Sequence, residues 1–272
     1  MLEYDFMVNA LVASAIVAVV AGTVGYFLVM RGQTFAGHAL SHVGFAGATG
    51  AILVGATPLW GLIAFTLAAG MLMGALGERL NGRDVAIGIV LSLSLGFGLL
   101  FLHYFTAFAT QATALLFGNV FGVSRGIIST LLILGLLNLT ALAVIVRPLL
   151  FATLQPELAE AKGISLRLVS MLFLAIVAIA VAECTQVVGV LLVFALMVGP
   201  AAQRLSQRID IGVLLSALLA LAEAWAGLTL AYYTDWPASF CITAISALVY
   251  FLTLISALTD RRATASGPQH TH

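Results

Sequence analysis

The sequence predicts an all-α fold, a polytopic membrane helix bundle of about nine transmembrane helices with an outer re-entrant half-helix and a cytoplasmic helix. Of the 272 residues, 62% are hydrophobic and only 8% are charged, whereas about 25% of the residues of a soluble domain are charged. The apolar residues form runs of the roughly 20 residues with which a helix crosses a hydrocarbon core of about 30 Å. The formal net charge of zero argues against nucleic acid as a partner, because phosphate binding requires clustered basic residues.

Charged and turn residues divide the chain into segments at residues 7–29, 35–54, 58–77, 85–103, 126–146, 167–184, 187–203, 211–233 and 237–258. The first lacks the basic start and the cleavage signature of a signal peptide, so we expect it to be a retained span. Basic residues accumulate in short cytoplasmic loops, and an outside N-terminus leaves only Arg125 of the 11 basic residues outside. We therefore expect one transmembrane domain at residues 1–260, followed by a short disordered cytoplasmic tail at residues 261–272.

Two stretches do not fit simple spans. Residues 104–125 are apolar but interrupted by Gly118 and Gly122, which predicts a half-helix that enters from the outer face and is shielded by protein. Residues 147–166 are predicted to form the one sizeable cytoplasmic loop. Within this loop Pro156 can begin a short helix, Glu157 and Glu160 favour its N-terminal end, and Gly163 ends it. Such a helix at the inner surface could bind another protein.

The segment Gly37-His38-Ala39-Leu40-Ser41-His42 carries the most informative polar pair. Two histidines four residues apart lie on the same face of a helix, and this spacing lets both imidazoles meet one metal ion. Ionisable groups inside the membrane are costly and usually functional. The alternative is a structural pair hydrogen-bonded to helix carbonyls or water. Zinc proteases use the same spacing but need glutamate directly after the first histidine, where this chain has Ala39. Since the chain also has no other nucleophile or base motif, we expect that it is not an intramembrane protease or another enzyme.

The remaining polar residues give weaker signals. Glu223 lies well inside the eighth predicted span, where it is either a step on an ion path or a protonated acid bonded within the bundle. Glu183 and His103 fall near the outer ends of their spans, and we expect both to be solvated. The only lysine, Lys162, is not preceded by glycine, so a phosphate-binding loop is absent. If ATP drives transport, a separate polypeptide must hydrolyse it.

Six motifs in order resemble those of one family: Gly25–Arg31, Gly37–His42, Asp84–Val90, Leu116–Asn119, Pro156–Gly163, and Gln186–Val193 continued by Pro200–Ala202. The succession resembles the membrane permease subunit of the zinc/manganese-type metal ABC importers, over about residues 5–258. The resemblance implies a homodimeric, multi-pass permease of the bacterial cytoplasmic (inner) membrane, with its C-terminus cytoplasmic. It also implies cytoplasmic ABC ATPase subunits and a periplasmic or lipid-anchored metal-binding protein as partners, besides membrane lipid.

The resemblance also assigns roles to residues. His38 and His42 match two residues that line the metal path in the family. At the position of His38 the family commonly has Asp. Pro156, Glu157, Glu160 and Gly163 match the segment that docks on the ATPase, and Phe117, Gly118 and Asn119 match the outer gate region. No permanently bound cofactor is expected. Because imidazole suits zinc whereas carboxylate suits manganese, the sequence favours Zn²⁺ as the transported ion, with manganese or iron as alternatives. The rival functions are an ABC permease for a metal chelate (siderophore or cobalamin) and a stand-alone secondary carrier.

Overall fold

A computed structural model describes residues 1, 3–76, 83–104, 118–198 and 208–265 of the chain. Within these ranges every regular element is helical. The α-helices are α1 (Asp5–Met30), α2 (Thr34–Leu53), α3 (Pro58–Leu76), α4 (Arg83–His103), α5 (Arg125–Leu154), α6 (Pro156–Ala161), α7 (Leu166–Val188), α8 (Val190–Val198), α9 (Ile209–Thr234) and α10 (Ala238–Ala265). A single turn of 3-10 helix at Val120–Gly122 precedes α5.

Seven of the described helices are long and apolar enough to cross a membrane, namely α1, α3, α4, α5, α7, α9 and α10. The all-helical prediction is therefore confirmed, but the count of nine spans is not. Helix α2 forms at the predicted place with 20 residues. Its histidines and glycines lower its mean hydropathy, and it is not among the seven candidate spans. Helix α8 has only 9 described residues, because positions 199–203 of the predicted span fall outside the described part of the chain.

Helices α1 and α7 form the centre of the bundle. In α1, 67% of the most apolar window is buried, and in α7 the share is 72%, more than in any other candidate span of the described chain. Helix α1 packs against α5, α7, α8 and α9, whereas α7 packs against α1, α2, α3 and α5. Small residues allow these close approaches. A Cβ atom at Gly22 of α1 would lie 2.6 Å from the carbonyl oxygen of Ser216 in α9.

The predicted cytoplasmic loop at residues 147–166 is shorter than expected. Helix α5 continues through Pro148 to Leu154, although an internal proline removes a helical hydrogen bond and crowds the preceding turn. Its 30 residues span about 45 Å, so the helix extends beyond a hydrocarbon core of about 30 Å. The loop therefore reduces to α6 and the few residues around it.

Helices α7 and α8 are separated by a break at Gly189. This glycine has a φ of 83°, a value that a residue with a Cβ atom adopts at an energetic cost. Its N–H donates to the carbonyl of Thr185 at 3.1 Å and ends α7. The sequence places this boundary near residue 185, one turn too early. The break lets α8 leave the line of α7 and pack against α1, α2 and α10.

Candidate metal-binding pair and its surroundings

His38 and His42 face each other on α2, as their spacing predicts. The centroids of the two rings are 4.8 Å apart, and the rings meet edge to face at 83°. Both side chains are half-buried, and neither imidazole forms a hydrogen bond with another described residue. A metal-bound imidazole nitrogen lies about 2 Å from its ion, so rings this close can share one ion. Of the structural alternative, hydrogen bonds from the rings to helix carbonyls are not formed among the described residues, which leaves hydrogen bonds to water.

An aromatic residue of α8 contacts the first histidine. The ring of Phe194 lies 5.3 Å from that of His38, at an angle of 76°. Such edge-to-face pairs are favourable and restrict the rotamer of both side chains. No sequence pattern indicates this contact, because a phenylalanine inside an apolar span has the pattern of ordinary packing. Phe194 thus links the histidine pair of α2 to the short helix after the Gly189 break.

The two histidines are an incomplete ligand set. Among the described residues, His, Cys, Asp and Glu form no group of three or more that could hold a metal ion. A structural zinc site uses four protein ligands, whereas a transport site must also release its ion. The donors that the chain itself brings together are therefore two imidazole nitrogens, and the remaining positions are open to water or to a second polypeptide.

Glu223 of α9 is buried with an exposed fraction of 2%. Neither of its carboxyl oxygens has a hydrogen-bond donor. Ser246 of α10 lies beside it but donates to the carbonyl of Ala195 in α8 at 3.2 Å. Ser246 therefore links α10 to α8 at the residue that directly follows Phe194. The structure does not bring Glu223 itself into contact with the histidine pair.

The expectation that Glu183 is solvated is wrong. Its side chain is fully buried, and neither carboxyl oxygen has a donor. Helix α7 extends to Val188, one turn beyond the predicted end, which places Glu183 deeper than expected. On the neighbouring α5, a Cβ atom at Gly135 would lie 3.5 Å from its Oε2, and Asn138 lies beside its carboxyl group. His103, in contrast, is exposed at the end of α4, as expected.

The predicted outer half-helix falls mostly on residues 105–117, outside the described residues, and Phe117 lies among them. Gly118 and Asn119 are described. Gly118 has a φ of 79°, and a Cβ atom there would lie 2.6 Å from the carbonyl oxygen of Val188. Gly118 of the predicted gate region thus rests directly on the break between α7 and α8, and α8 carries the ring that contacts His38.

The predicted short helix forms as α6. Pro156 occupies its first turn, and Gly163 follows it with a φ of 79°. Glu157 and Glu160 are exposed, whereas Ala159 between them is fully buried. The helix is therefore attached through one small apolar residue and presents an acidic surface.

Comparisons with known proteins agree with this architecture. A profile of the ABC 3 transport family matches residues 3–257. The chain is 27% identical over 255 residues to the manganese transport system membrane protein MntC of Halalkalibacterium halodurans, covering 93% of this chain and 87% of that protein. It is 32% identical over 264 residues to a probable metal transport system membrane protein of Treponema pallidum, covering 96% and 98%.

One solved structure is similar over most of its length. PsaBC from Streptococcus pneumoniae in complex with Fab aligns with a TM-score of 0.81 and 25% sequence identity, covering 92% of this chain and 91% of that one. The helix arrangement described above is thus shared with an experimentally determined membrane protein.

Proposed function

We propose, from the premise that this chain belongs to the ABC 3 transport family, that it is the transmembrane subunit of an ATP-driven importer of a divalent transition metal ion. The observation that carries this proposal is the His38–His42 pair, with its rings 4.8 Å apart on α2. Two imidazoles facing each other inside a lipid-embedded bundle are suited to bind and release a metal ion.

Manganese is the first candidate for the transported ion. The sequence favours zinc because both identified ligands are imidazoles, but the named relatives do not support zinc. The relatives from Halalkalibacterium halodurans, Listeria innocua and Streptococcus gordonii are named as manganese transport proteins. Zinc is the second candidate on the chemistry of the histidines. Two neutral ligands leave the double charge of the ion uncompensated, which favours a weak transit site over a permanent one.

The transport cycle that we envisage is alternating access in a pair of copies in the bacterial cytoplasmic membrane, with the N-terminus outside. The binding protein delivers the ion above Gly118 and Asn119, and Gly118 packs against the break at Gly189. Movement at this break shifts α8 and with it the Phe194 ring beside His38. On the cytoplasmic side, α6 docks on the ATPase subunit through Pro156, Glu157, Glu160 and Gly163. Glu223, which is buried on α9 with neither carboxyl oxygen hydrogen-bonded, serves as a further step on the path.

Uptake by the reconstituted complex tests this function. The chain, with its ATPase and binding protein, is placed in proteoliposomes, and uptake of radioactive Mn²⁺ and Zn²⁺ is measured with and without ATP inside. We expect ATP-dependent uptake of Mn²⁺ above Zn²⁺ and its loss in the double variant His38→Ala/His42→Ala. The control His103→Ala should retain uptake, because His103 is exposed at the end of α4, where the neighbouring Phe101 packs on Gly50, at the other end of α2 from the histidines.

Two results would contradict the proposal. Uptake that continues without ATP would indicate a stand-alone carrier. Uptake by His38→Ala/His42→Ala at the same rate as uptake by His103→Ala would show that the histidine pair is not on the ion path.

A further inference from the structure

A long apolar groove runs along the outside of the bundle between α1, α5 and α9. It has a volume of about 630 Å³ and is lined by Phe27 of α1, a stripe from Leu139 to Leu150 of α5, and Val213 of α9. Ligand pockets typically measure about 300–1,000 Å³, so the groove is large enough for a small molecule. None of its lining residues belongs to α2, so the groove is separate from the histidine pair.

The length of the groove matches one leaflet of a bilayer. Leu139, Leu142, Ala143, Val146 and Leu150 recur at helical spacing along α5 and all line it. Eleven residues of helix rise about 16 Å, and half of a hydrocarbon core of about 30 Å is about 15 Å. The groove therefore offers one extended acyl chain an apolar track from the middle of the membrane to its surface.

Arginines gather at one end of this track. Arg147 is exposed and lies between Val146 and Leu150, the last two residues of the apolar stripe. Arg31, at the end of α1, donates to the hydroxyl of Thr153 at 2.8 Å, one turn beyond Leu150. Arg208 pairs with Asp210 at 3.0 Å, and Asp210 lines the groove. Asp210, paired with Arg208, is thus the charged residue that lines the groove, and Arg147 lies next to the lining residue Val146 on α5.

We propose that this groove binds an anionic glycerophospholipid, with one acyl chain along the α5 stripe and the headgroup phosphate at Arg147. Basic pockets between transmembrane helices bind anionic headgroups, and a long arginine side chain reaches from apolar surface to the headgroup level. Arg147 makes no ion pair with any described residue, so its charge is available to the phosphate. The lipid would join α1, α5 and α9 at their common edge and is independent of the transported ion.

Native mass spectrometry of the full chain in mild detergent tests this inference, with phosphatidylglycerol and phosphatidylcholine added in separate titrations. We expect the wild type to bind phosphatidylglycerol more tightly than phosphatidylcholine. Arg147→Gln should weaken phosphatidylglycerol binding about fivefold, the effect expected of one basic residue near an anionic headgroup, and should leave phosphatidylcholine unchanged. Ala143→Trp, which fills the groove, should remove the tightly bound lipid while the thermal melting temperature shows that the chain stays folded.

Arg167→Gln is the matched control, because Arg167 is exposed in the first turn of α7 and does not line the groove. It should bind phosphatidylglycerol like the wild type. Equal binding of both lipids by the wild type would overturn the proposal, as would unchanged binding by Arg147→Gln or an equal loss in Arg167→Gln. A disulfide between two copies of Ala143→Cys in native membranes would also overturn it, because a second copy would then occupy the groove.

Discussion

Replacing Phe194 by leucine tests whether the ring on α8 holds the first metal ligand in place. The phenyl ring lies 5.3 Å from the His38 imidazole, and leucine keeps an apolar side chain while removing the aromatic edge. An edge-to-face aromatic pair contributes about 0.5–1.5 kcal/mol beyond its buried area. If this contact holds the His38 imidazole in its metal-binding rotamer, the imidazole of the variant rotates freely and must be restricted when the ion binds. Metal affinity should then fall by about two- to tenfold.

Equilibrium binding of Mn²⁺ to the detergent-solubilised permease and ATPase complex measures this change. The matched control is Phe251→Leu. Phe251 of α10 lines the same surface pocket between α8 and α10 as Phe194, but among the described residues it has no ring contact with either histidine. We expect the control to bind like the wild type. Equal affinity in Phe194→Leu and the wild type would refute the idea that the ring positions His38. An equal loss of affinity in Phe194→Leu and Phe251→Leu would show that the effect comes from the surface pocket between α8 and α10 and not from the ring contact.

Three further predictions follow from single contacts. Ser216→Ala removes the hydroxyl that donates to the Gly22 carbonyl at 2.7 Å and should lower the free energy of unfolding by about 0.6 kcal/mol, measured by denaturation in mixed micelles; no change would contradict the role of this contact. Glu183→Gln supplies an amide donor to the unpaired Oδ1 of Asn138 and should raise stability by about 1 kcal/mol, so a lower melting temperature would count against that arrangement. Ala159→Asp places a charge at the buried anchor of α6 and should displace the helix, so the ATPase subunit should no longer co-purify with the chain; intact co-purification would show that α6 is not the docking segment.

The spans could be predicted because lipid imposes a simple rule on sequence. Every helix that crosses the membrane must satisfy its own backbone groups and present apolar side chains, so α1, α3 and α9 appear in the sequence as long apolar runs. Their ends were less predictable. The end of α7 was misplaced by one turn because the polar Thr185 and Gln186 indicate a boundary between two apolar runs. The helix continues through both residues and ends at Gly189, whose positive φ composition does not reveal.

The candidate site was predicted only in part for a related reason. His38 and His42 stand out because histidine is costly in lipid and their spacing is helical. Phe194 could not be found, since its role depends on how α8 packs against α2, which is a long-range contact. Glu183 was misjudged because its depth depends on coverage by α1 and α5, and no local pattern in the sequence records that coverage.

The measurement that tests the central claim most directly is pulsed electron paramagnetic resonance of Mn²⁺ bound to the complex, with histidine labelled by ¹⁵N. We expect nuclear modulation from imidazole nitrogen in the wild type. This modulation should fall in His38→Ala, fall equally in His42→Ala and disappear in the double variant, while His103→Ala retains the full signal. Bound Mn²⁺ whose spectrum shows no histidine nitrogen, or the same nitrogen modulation in the double variant as in the wild type, would contradict the assignment of His38 and His42 as the metal ligands.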